Sequence, residues 1–592
     1  MKENIKYMLE NWYKWDRKSL FYFFVRVPAL VFQPIVTAYI PKAMIDCITK
    51  GVTTERLIAV IGGLSLLLTL TIWLDPFMNE LILGGARIVR MRYAVAAFEK
   101  NLRTDYVNIE NLEMREKQKR AEVFYNGRWS GGANFIARLN QFFVAVVGVI
   151  ASSVLIYKIN IFMILLIIAT CGAQFCIQRA LTKKQHENLN KRSGPKTKFD
   201  YFYKLSKDGT AAKDIELYKL GDFFVKALAD SLCKIEKIYA KYTHTCMAFD
   251  GVTALLNAVR EAIAYIYLAY LTTKGELGVS DFIFYFGIIT GFSSWVLSLG
   301  YSVNQIERDC NECKAYREYI ESEDTAEQGD KLTEKSVDGI EFENVSFKYP
   351  SANEPTLKNI NLKFKNGEKI AVVGENGAGK TTLIKLLCGL YSPTDGKILL
   401  NGKDTAEITK TSYFELFSAI FQDYYFLPMT IKQNITASIE CNEEKFALAL
   451  KQADMYDKVY SLPNGADTLM DRNVYKDAVD FSGGEKQKLL LAKAIYKDAP
   501  ILILDEPTAA LDPIAENELY LKYSELTNGK LSFFISHRLS STRFCDRILF
   551  VSNGEITEEG THDELMAKKG AYYKMFQIQS YYYREQGVAV NE

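Results

Sequence analysis

The chain has 592 residues, 48% of them hydrophobic, with 72 Lys and Arg against 71 Asp and Glu and a mean hydropathy of −0.06. That length excludes a single compact domain and predicts two large parts. A net charge of +1, with no basic stripe interleaved with aromatics, argues against a nucleic-acid partner. The ten cysteines form no disulfide framework. Cys310 and Cys313 are the only close C-x-x-C pair, and they read as two residues on one helical face, because no second pair or nearby His completes four metal ligands.

At the start, Met8, Leu9, Trp12 and Trp15 with Lys6, Lys14 and Arg17 predict an amphipathic elbow helix lying in a membrane interface. It is no cleavable signal, since the first residues are polar and no small-residue cleavage site follows an apolar core. Six spans follow. The first lies near Leu20 to Ile45, interrupted by Arg26, Pro28 and Pro34. Leu57 to Leu74, Phe142 to Tyr157, Ile161 to Ile177 and Phe282 to Leu299 are apolar runs of spanning length, and a fifth span near Phe249 to Leu271 carries the adjacent charges Arg260 and Glu261. Asp75, Glu80, Arg260 and Glu261 lie in or near spans, where charge is costly; either they pair within the bundle or at its edge, or they serve function.

The connections near Cys47 to Arg56, Lys158 to Asn160 and Thr272 to Asp281 are short, whereas Gly85 to Ala133 and Arg179 to Cys246 are long and rich in Lys and Arg. By the positive-inside rule the long ones are cytoplasmic, and with six spans both termini are as well. A loop of about fifty residues folded as a helical hairpin reaches roughly 30 Å below the membrane. Each long connection has a polar helical tip, around Tyr106 to Met114 and around Lys213 to Tyr218.

Glu321 to Val337 is charged and nearly free of large apolar residues, so residues 1–320 are read as a membrane domain, 321–337 as a linker and 338–592 as a second domain. Ile340 to Lys348 and Leu357 to Phe364 alternate like strands of an antiparallel subdomain, joined by the Asn366-Gly367 turn to the apolar strand Ile370 to Val373. Directly after it, Gly374-Glu375-Asn376-Gly377-Ala378-Gly379-Lys380-Thr381 is a phosphate loop opening a helix at Thr382. Glycines let successive backbone N–H groups turn inward around phosphate oxygens, and the helix N-terminus adds its positive end. Lys380 is expected to reach the β- and γ-phosphates, and Thr381 to ligate Mg²⁺.

Further on, Phe481-Ser482-Gly483-Gly484-Glu485 runs into an apolar helix. It resembles the ABC signature, usually LSGGQ; Phe481 and Glu485 depart from it, which leaves the hydrogen bonding of the fifth position open. Ile501 to Leu504 reads as a buried parallel strand ending in Asp505 and Glu506. Two acids there are either a solvated strand end or a site in which Asp505 holds the metal through its water shell and Glu506 polarises the attacking water. A third parallel strand, Leu531 to Ser536, delivers His537, where a γ-phosphate sensor is expected, to the edge at which open α/β sheets bind ligands. His562 reads as a surface turn residue, and the Tyr-rich tail after Ala571 has no assignment.

On these motifs the chain resembles an exporter-type ABC half-transporter over essentially its whole length. The resemblance implies an α-helical transmembrane bundle of six spans with long cytoplasmic helical extensions, plus an α/β P-loop NTPase domain with an antiparallel β subdomain and a helical subdomain. It places Tyr349 as the adenine-stacking aromatic, Gln422 in the Q-loop as a further metal ligand and Asp512 in the D-loop, and it likens the two tips to coupling helices. It implies ATP and Mg²⁺ as cofactors and a second half-transporter as partner, in a homodimer or heterodimer. Two nucleotides are then sandwiched between the Lys380 loop of one copy and Ser482, Gly483, Gly484 and Glu485 of the other. The segment Leu469 to Asp480 lacks the glycine-rich acidic stretch that many export-type relatives turn toward the membrane domain, so coupling there is expected to use other residues. Expected partners are membrane lipid and a cargo that is a peptide or amphiphilic small molecule rather than a lipid. A lipid flippase and an ATP-gated regulatory or channel member of the family are the alternatives. No peptidase domain precedes the first span, so leader cleavage by this chain is not expected.

Overall fold

The computed structural model describes residues 1–127, 130–157, 159, 161–207, 211–322, 329–332, 334–350, 352–505, 522–536 and 539–588. The chain divides into two compact units, Met1–Leu102 with Glu116–Ser322, and Arg103–Arg115 with Glu323–Glu592. The short stretch Arg103–Arg115 thus belongs with the C-terminal unit, although in sequence it lies between two helices of the N-terminal one.

The N-terminal unit is helical: α1 (Lys2–Trp15), α2 (Arg17–Thr49) and α3 (Thr54–Arg103) come first. After α4 (Tyr106–Glu110) come α5 (Leu112–Tyr125), α6 (Gly131–Tyr157), α7 (Ile161–Leu205), α8 (Ala212–Leu217), α9 (Gly221–Thr273) and α10 (Val279–Ile320). Among the described residues six helices are long and apolar enough to span a membrane: α2, α3, α6, the Met163–Leu181 part of α7, α9 and α10. At 1.5 Å per residue, the 53 residues of α9 extend roughly 80 Å against a hydrocarbon core of about 30 Å. Helix α9 is therefore much longer than a bilayer crossing needs. Leu66, Leu70 and Trp73 on α3 stay more than half exposed, as lipid-facing side chains do.

Two local expectations change. The first span is not interrupted: α2 runs unbroken through Pro28, Pro34 and Pro41. In a membrane helix the groups freed by proline are satisfied by neighbours, and Arg26 is neutralised by Asp75 of α3 at 2.7 Å. The apolar side of α1 is covered by protein rather than lipid, with Met8 and Trp12 fully buried and Asn4 Nδ2 donating to Cys310 O at 2.9 Å. Cys310 and Cys313 do share one buried face of α10, against α1.

In the C-terminal unit β1 (Gly339–Phe347) pairs antiparallel with β2 (Leu357–Lys365) and β4 (Asp395–Leu400), and β5 (Lys403–Asp404) closes a four-stranded sheet of order β2-β1-β4-β5. A six-stranded sheet has the order β10-β9-β3-β8-β7-β6. It is built from β3 (Lys369–Gly374), β6 (Phe417–Ile420), β7 (Ile501–Asp505), β8 (Leu531–Ile535), β9 (Arg547–Ser552) and β10 (Glu555–Gly560), with only β10 antiparallel. Helices α11 (Lys380–Leu387) and α12 (Lys410–Phe414) precede a helical part made of α13 (Ile431–Thr436), α14 (Glu443–Gln452), α15 (Tyr456–Tyr460) and α16 (Gly483–Lys497).

Both faces of the larger sheet are buried, which explains its near-continuous apolar strands. Ile370, Val372, Ile503 and Phe533 point into one core shared with the antiparallel sheet. Their neighbours Ala371, Val373, Leu502 and Phe534 point into a second core filled from the helical part by Ile431, Phe446 and Leu491. The Tyr-rich tail is a helix, Ala571–Val588, whose fully buried Tyr572 joins this second core. His562 is not a surface turn residue. It opens the helix His562–Lys568, and its Nδ1 lies 2.8 Å from the Tyr572 hydroxyl. Burial first, and then the Arg543 charge, pull its pKa below the ordinary value.

Candidate active site

The parallel strands end together, and their register gathers the expected nucleotide ligands at one edge. Val372 of β3 and Asp505 of β7 both align with Ile535 of β8, while Leu504 aligns with Ile420 of β6. Hence the phosphate loop after β3, the Asp505 carboxylate and Gln422, two residues beyond β6, emerge side by side. This is the carboxyl edge at which such sheets bind ligands.

In the loop, Gly374, Gly377 and Gly379 have φ of +147°, +78° and +108°, a region closed to most side chains. A Cβ on Gly374 would lie 2.1 Å from Val551 O, so backbone packing demands glycine there, whereas at Gly379, where the nearest atom is the movable Leu357 Cδ2 at 2.8 Å, the positive φ is the constraint. Around Gly377 there is open space. Glu375 and Asn376 are exposed, and Ala378 is buried with its N–H donating to Glu375 O at 3.3 Å. Lys380 is buried and folds across the loop, with Nζ donating to Gly374 O and Glu375 O at 2.8 Å each. Thr381 is exposed on the first turn of α11, with its neighbour Thr382 buried. The helix ends where Gly389, at φ +72°, turns the chain and donates to Leu386 O.

Tyr349 stands two residues past β1, half-buried, and its hydroxyl lies 3.0 Å from Thr382 Oγ1. That bond ties the expected base-stacking ring to the helix that follows the loop. Its ring packs edge-on to Phe347 and Tyr391, with centroids 5.0 and 5.5 Å away.

Oxygen donors from Thr381, Gln422 and the buried Asp505 suit Mg²⁺, which takes one or two carboxylates and completes its shell with water and nucleotide phosphates. Among the described residues no cluster of three or more His, Cys, Asp or Glu offers an alternative metal site. Glu506, Asp512 and His537 lie outside the described residues.

The signature segment sits at the start of α16, where Ser482 is the N-cap. Its hydroxyl accepts the Glu485 N–H at 3.4 Å, and the Glu485 carboxylate accepts the Ser482 N–H at 2.9 Å and hydroxyl at 3.0 Å. Glu485 thus completes a capping box. Lys458 of α15 lies 3.2 Å from it. The Ser482 amide first, and Lys458 after it, hold this carboxyl below its ordinary pKa despite its burial. Ser482 and Gly483 stay exposed.

Sequence reasoning missed the residues that receive the first tip. In the C-terminal unit Arg103–Arg115 packs on the nucleotide-binding fold, and Val107 and Tyr106 join its first core. Asp105 pairs with Lys410 at 2.6 Å, and Glu110 with Lys385 of α11 at 3.1 Å. Glu110 also accepts the hydroxyls of Tyr106, at 2.6 Å, and of Tyr391. Burial alone would raise the Glu110 carboxyl, but the hydrogen bonds from Tyr106, Tyr391 and Lys385 hold it below its ordinary value. Lys385 and Tyr391 lie 275 and 281 residues along the chain from Glu110, and no local pattern marks them. The tip α8 is exposed, Leu217 and Tyr218 included.

The chain is similar to several known proteins. Residues 357–509 match the ABC transporter family model. The chain is 28% identical over 594 residues to the subtilin transport ATP-binding protein SpaT of Bacillus subtilis, covering 95% of this chain and 92% of that protein. It is 33% identical over 350 residues to the ATP-dependent lipid A-core flippase of Methylobacillus flagellatus, covering 58% of this chain and 59% of the flippase. The solved structure of a bacterial Atm1-family ABC exporter with ATP bound shares the fold, with a TM-score of 0.80 at 20% identity over 95% of this chain and 98% of the other. A phosphate loop, a capped signature helix and six membrane-length helices therefore accompany an ABC transporter domain at residues 357–509, in a chain that is similar along its length to a subtilin transport ATP-binding protein and shares the fold of an ABC exporter.

Proposed function

We propose that two copies of this chain, or one copy and a related half-transporter, export a peptide or amphiphilic small molecule at the cost of ATP. The observation that carries this reading is the convergence of the Lys380 loop, Asp505 and Gln422 at one sheet edge, with the phosphate-suited Ser482 cap exposed elsewhere on the same unit. An exposed helix N-terminus with free backbone donors suits a phosphate brought by another copy.

Within each site, Tyr349 stacks on the base, and the backbone amides from Gly374 to Thr382 with the Lys380 ammonium hold the phosphates. Thr381, Gln422 and Asp505 hold Mg²⁺, which when bound neutralises the phosphate oxygens. Glu506 takes the proton of the attacking water, and His537 steadies the γ-phosphate. Ser482, Gly483 and Gly484 with the Glu485 cap close over the partner's nucleotide, and Asp512 lies in the D-loop of the same closure. Nucleotide-driven pairing then biases a two-state element of the membrane helices. The Lys- and Arg-rich long loops support a cytoplasmic ATPase and cytoplasmic termini.

A peptide is favoured over a lipid because the likeness to a subtilin transport protein extends over nearly the whole chain, membrane helices included, whereas the flippase likeness covers 58% of it. The test is cargo-stimulated ATPase activity of the purified protein in lipid, beside ATP-driven uptake into inverted vesicles. Glu506→Gln is expected to keep ATP binding and abolish both activities. Hydrolysis near the wild-type rate in that variant would refute the assignment of Glu506, and conductance without uptake would favour the gated-channel alternative.

A further inference from the structure

Among the described residues, the spans hold a deeply buried cation that the ATPase machinery does not use. Arg260 lies at the midpoint of the Phe249 to Leu271 segment of α9 and is 1% exposed. Its only ion-pair partner among the described residues is Glu261, next to it in sequence, whose Oε1 is 3.6 Å from Nη2. Nε and Nη1 have no hydrogen-bond acceptor among the described residues. Around it, Ala264, Leu268, Ile289 and Phe292 make the bundle apolar.

Other intramembrane charges are stitched into the fold. Arg26 meets Asp75 at 2.7 Å and Lys42 meets Asp281 at 2.5 Å, each joining two helices. Among the described residues Arg260 has no such cross-helix carboxylate. What faces it from α7 is neutral: the Cys171 thiol neighbours the guanidinium, and Gln174, one turn along, donates to Asn257 Oδ1 at 2.6 Å while its own buried Oε1 lacks a partner. Asn257 and Arg260 share one face of α9, as Cys171 and Gln174 share one face of α7. Both pairs lie near the middle of their spans. The result is a buried polar cluster near mid-depth whose guanidinium keeps spare N–H donors among the described residues.

We propose that Arg260 is the subsite for an oxyanion carried on the cargo, a carboxylate or phosphate at the polar end of an amphiphile, with Gln174 and Asn257 as flanking amides. The planar guanidinium offers two parallel N–H donors to such a group. Glu261, contacting a single nitrogen at 3.6 Å and one third exposed, acts as the internal anion that the cargo displaces. This inference rests on the export reading above and specifies the chemistry of its cargo.

The test measures ATPase stimulation of the full-length protein in phosphatidylcholine nanodiscs by two matched pairs of probes. One pair is an uncharged-side-chain hydrophobic peptide as free C-terminal acid and as amide. The other is lysophosphatidic acid and the corresponding monoacylglycerol. The charged member of at least one pair is expected to act at a concentration at least about tenfold lower than its neutral twin; the peptide pair reports a carboxylate source, the lipid pair a phosphate source. Arg260→Gln should bring that ratio to about one and Arg260→Lys should restore part of it. Glu261→Gln should move the other way, lowering the half-maximal concentration of the charged probe, whereas a merely structural ion pair would suffer from either change. Equal stimulation by charged and neutral twins, a ratio that survives Arg260→Gln, or no gain in Glu261→Gln overturns the oxyanion subsite while leaving export intact. Stimulation by none of the four probes overturns the export reading and this subsite together. If Arg260→Gln does not fold, the wild-type ratio and Glu261→Gln decide.

Discussion

Removing the Glu110 carboxylate tests whether the segment Arg103–Arg115 is held on the nucleotide-binding fold by the contacts described. Glu110→Ala deletes an ion pair to Lys385 at 3.1 Å and the hydrogen bonds from Tyr106 and Tyr391, while leaving Asp105–Lys410 in place. Hydrogen bonds to a charged group contribute about 1.5–3 kcal/mol each when protected. Here the Glu110 side chain is 36% exposed, and exposed pairs contribute about 0–1 kcal/mol. Tyr391, however, is 3% exposed and loses its charged acceptor. Together these give about 2 kcal/mol, or roughly a 30-fold rise in the local opening constant.

Amide hydrogen exchange in the full-length protein reads this directly, since the N–H groups of Asn108 and Asn111 donate within the segment, to Asp105 O and Val107 O. The expected outcome is exchange across 106–111 accelerated about 30-fold in Glu110→Ala, with a coupling of about 1 kcal/mol to Lys385→Ala in a double-mutant cycle. The contribution is fully present above the unfolded glutamate pKa and is lost as pH falls from there through the lower pKa of the docked carboxyl. Exchange within twofold of wild type would show that apolar contacts of Tyr106 and Val107 hold the segment alone, and the electrostatic reasoning would fail.

Lys380→Ala should weaken ATP binding itself, at least tenfold by equilibrium titration, because a charge-assisted phosphate contact is lost; unchanged affinity would count against its phosphate role. Glu485→Ala removes the reciprocal half of the Ser482 capping box, at a cost of about 1 kcal/mol, so exchange in the first turn of α16 should rise about fivefold, and Glu485→Gln should recover most of the loss. His562 is held neutral by burial and Arg543, so its folded pKa is below its unfolded one. Stability from this group is therefore present above about pH 6.5 and declines as pH falls below it. The melting temperature should drop between pH 7.5 and 5.5 more steeply in wild type than in His562→Gln, and identical slopes would rule out His562 as the source.

The nucleotide edge was legible because its parts are local. A phosphate loop needs a strand, positive-φ glycines and a helix in immediate succession, and Val373 to Thr382 supplies all of them within one short stretch. The spans were legible for the same reason, since twenty apolar residues have one economical arrangement in lipid. Prolines misled at α2 because their penalty in water was carried over to a medium in which neighbouring helices and Asp75 supply what is missing. His562 misled because polar residues near a Gly-Thr sequence favour turns locally, whereas a helix beginning nine residues later folds Tyr572 back over it.

What sequence could not disclose is the joining of distant stretches by single side chains. Tyr391 contacts Tyr106 with ring centroids 5.8 Å apart, Tyr349 at 5.5 Å and Phe347 at 4.8 Å. One buried ring therefore touches both the docked segment and the aromatic expected under the nucleotide base, while Lys385, on the helix that begins at the phosphate loop, holds Glu110 from the other side. A shift of base or loop on ATP binding has a two-link route to Arg103–Arg115 through Tyr349–Tyr391 and through α11–Lys385. In a chain without the acidic glycine-rich stretch before its signature, we propose these contacts as the place at which nucleotide occupancy is felt. If so, Tyr391→Leu should reduce vesicle uptake per ATP hydrolysed, whereas Phe, which keeps the ring and loses only the Glu110 bond, should retain most of it. Equal loss in the two variants would assign the coupling to the hydroxyl rather than to ring packing.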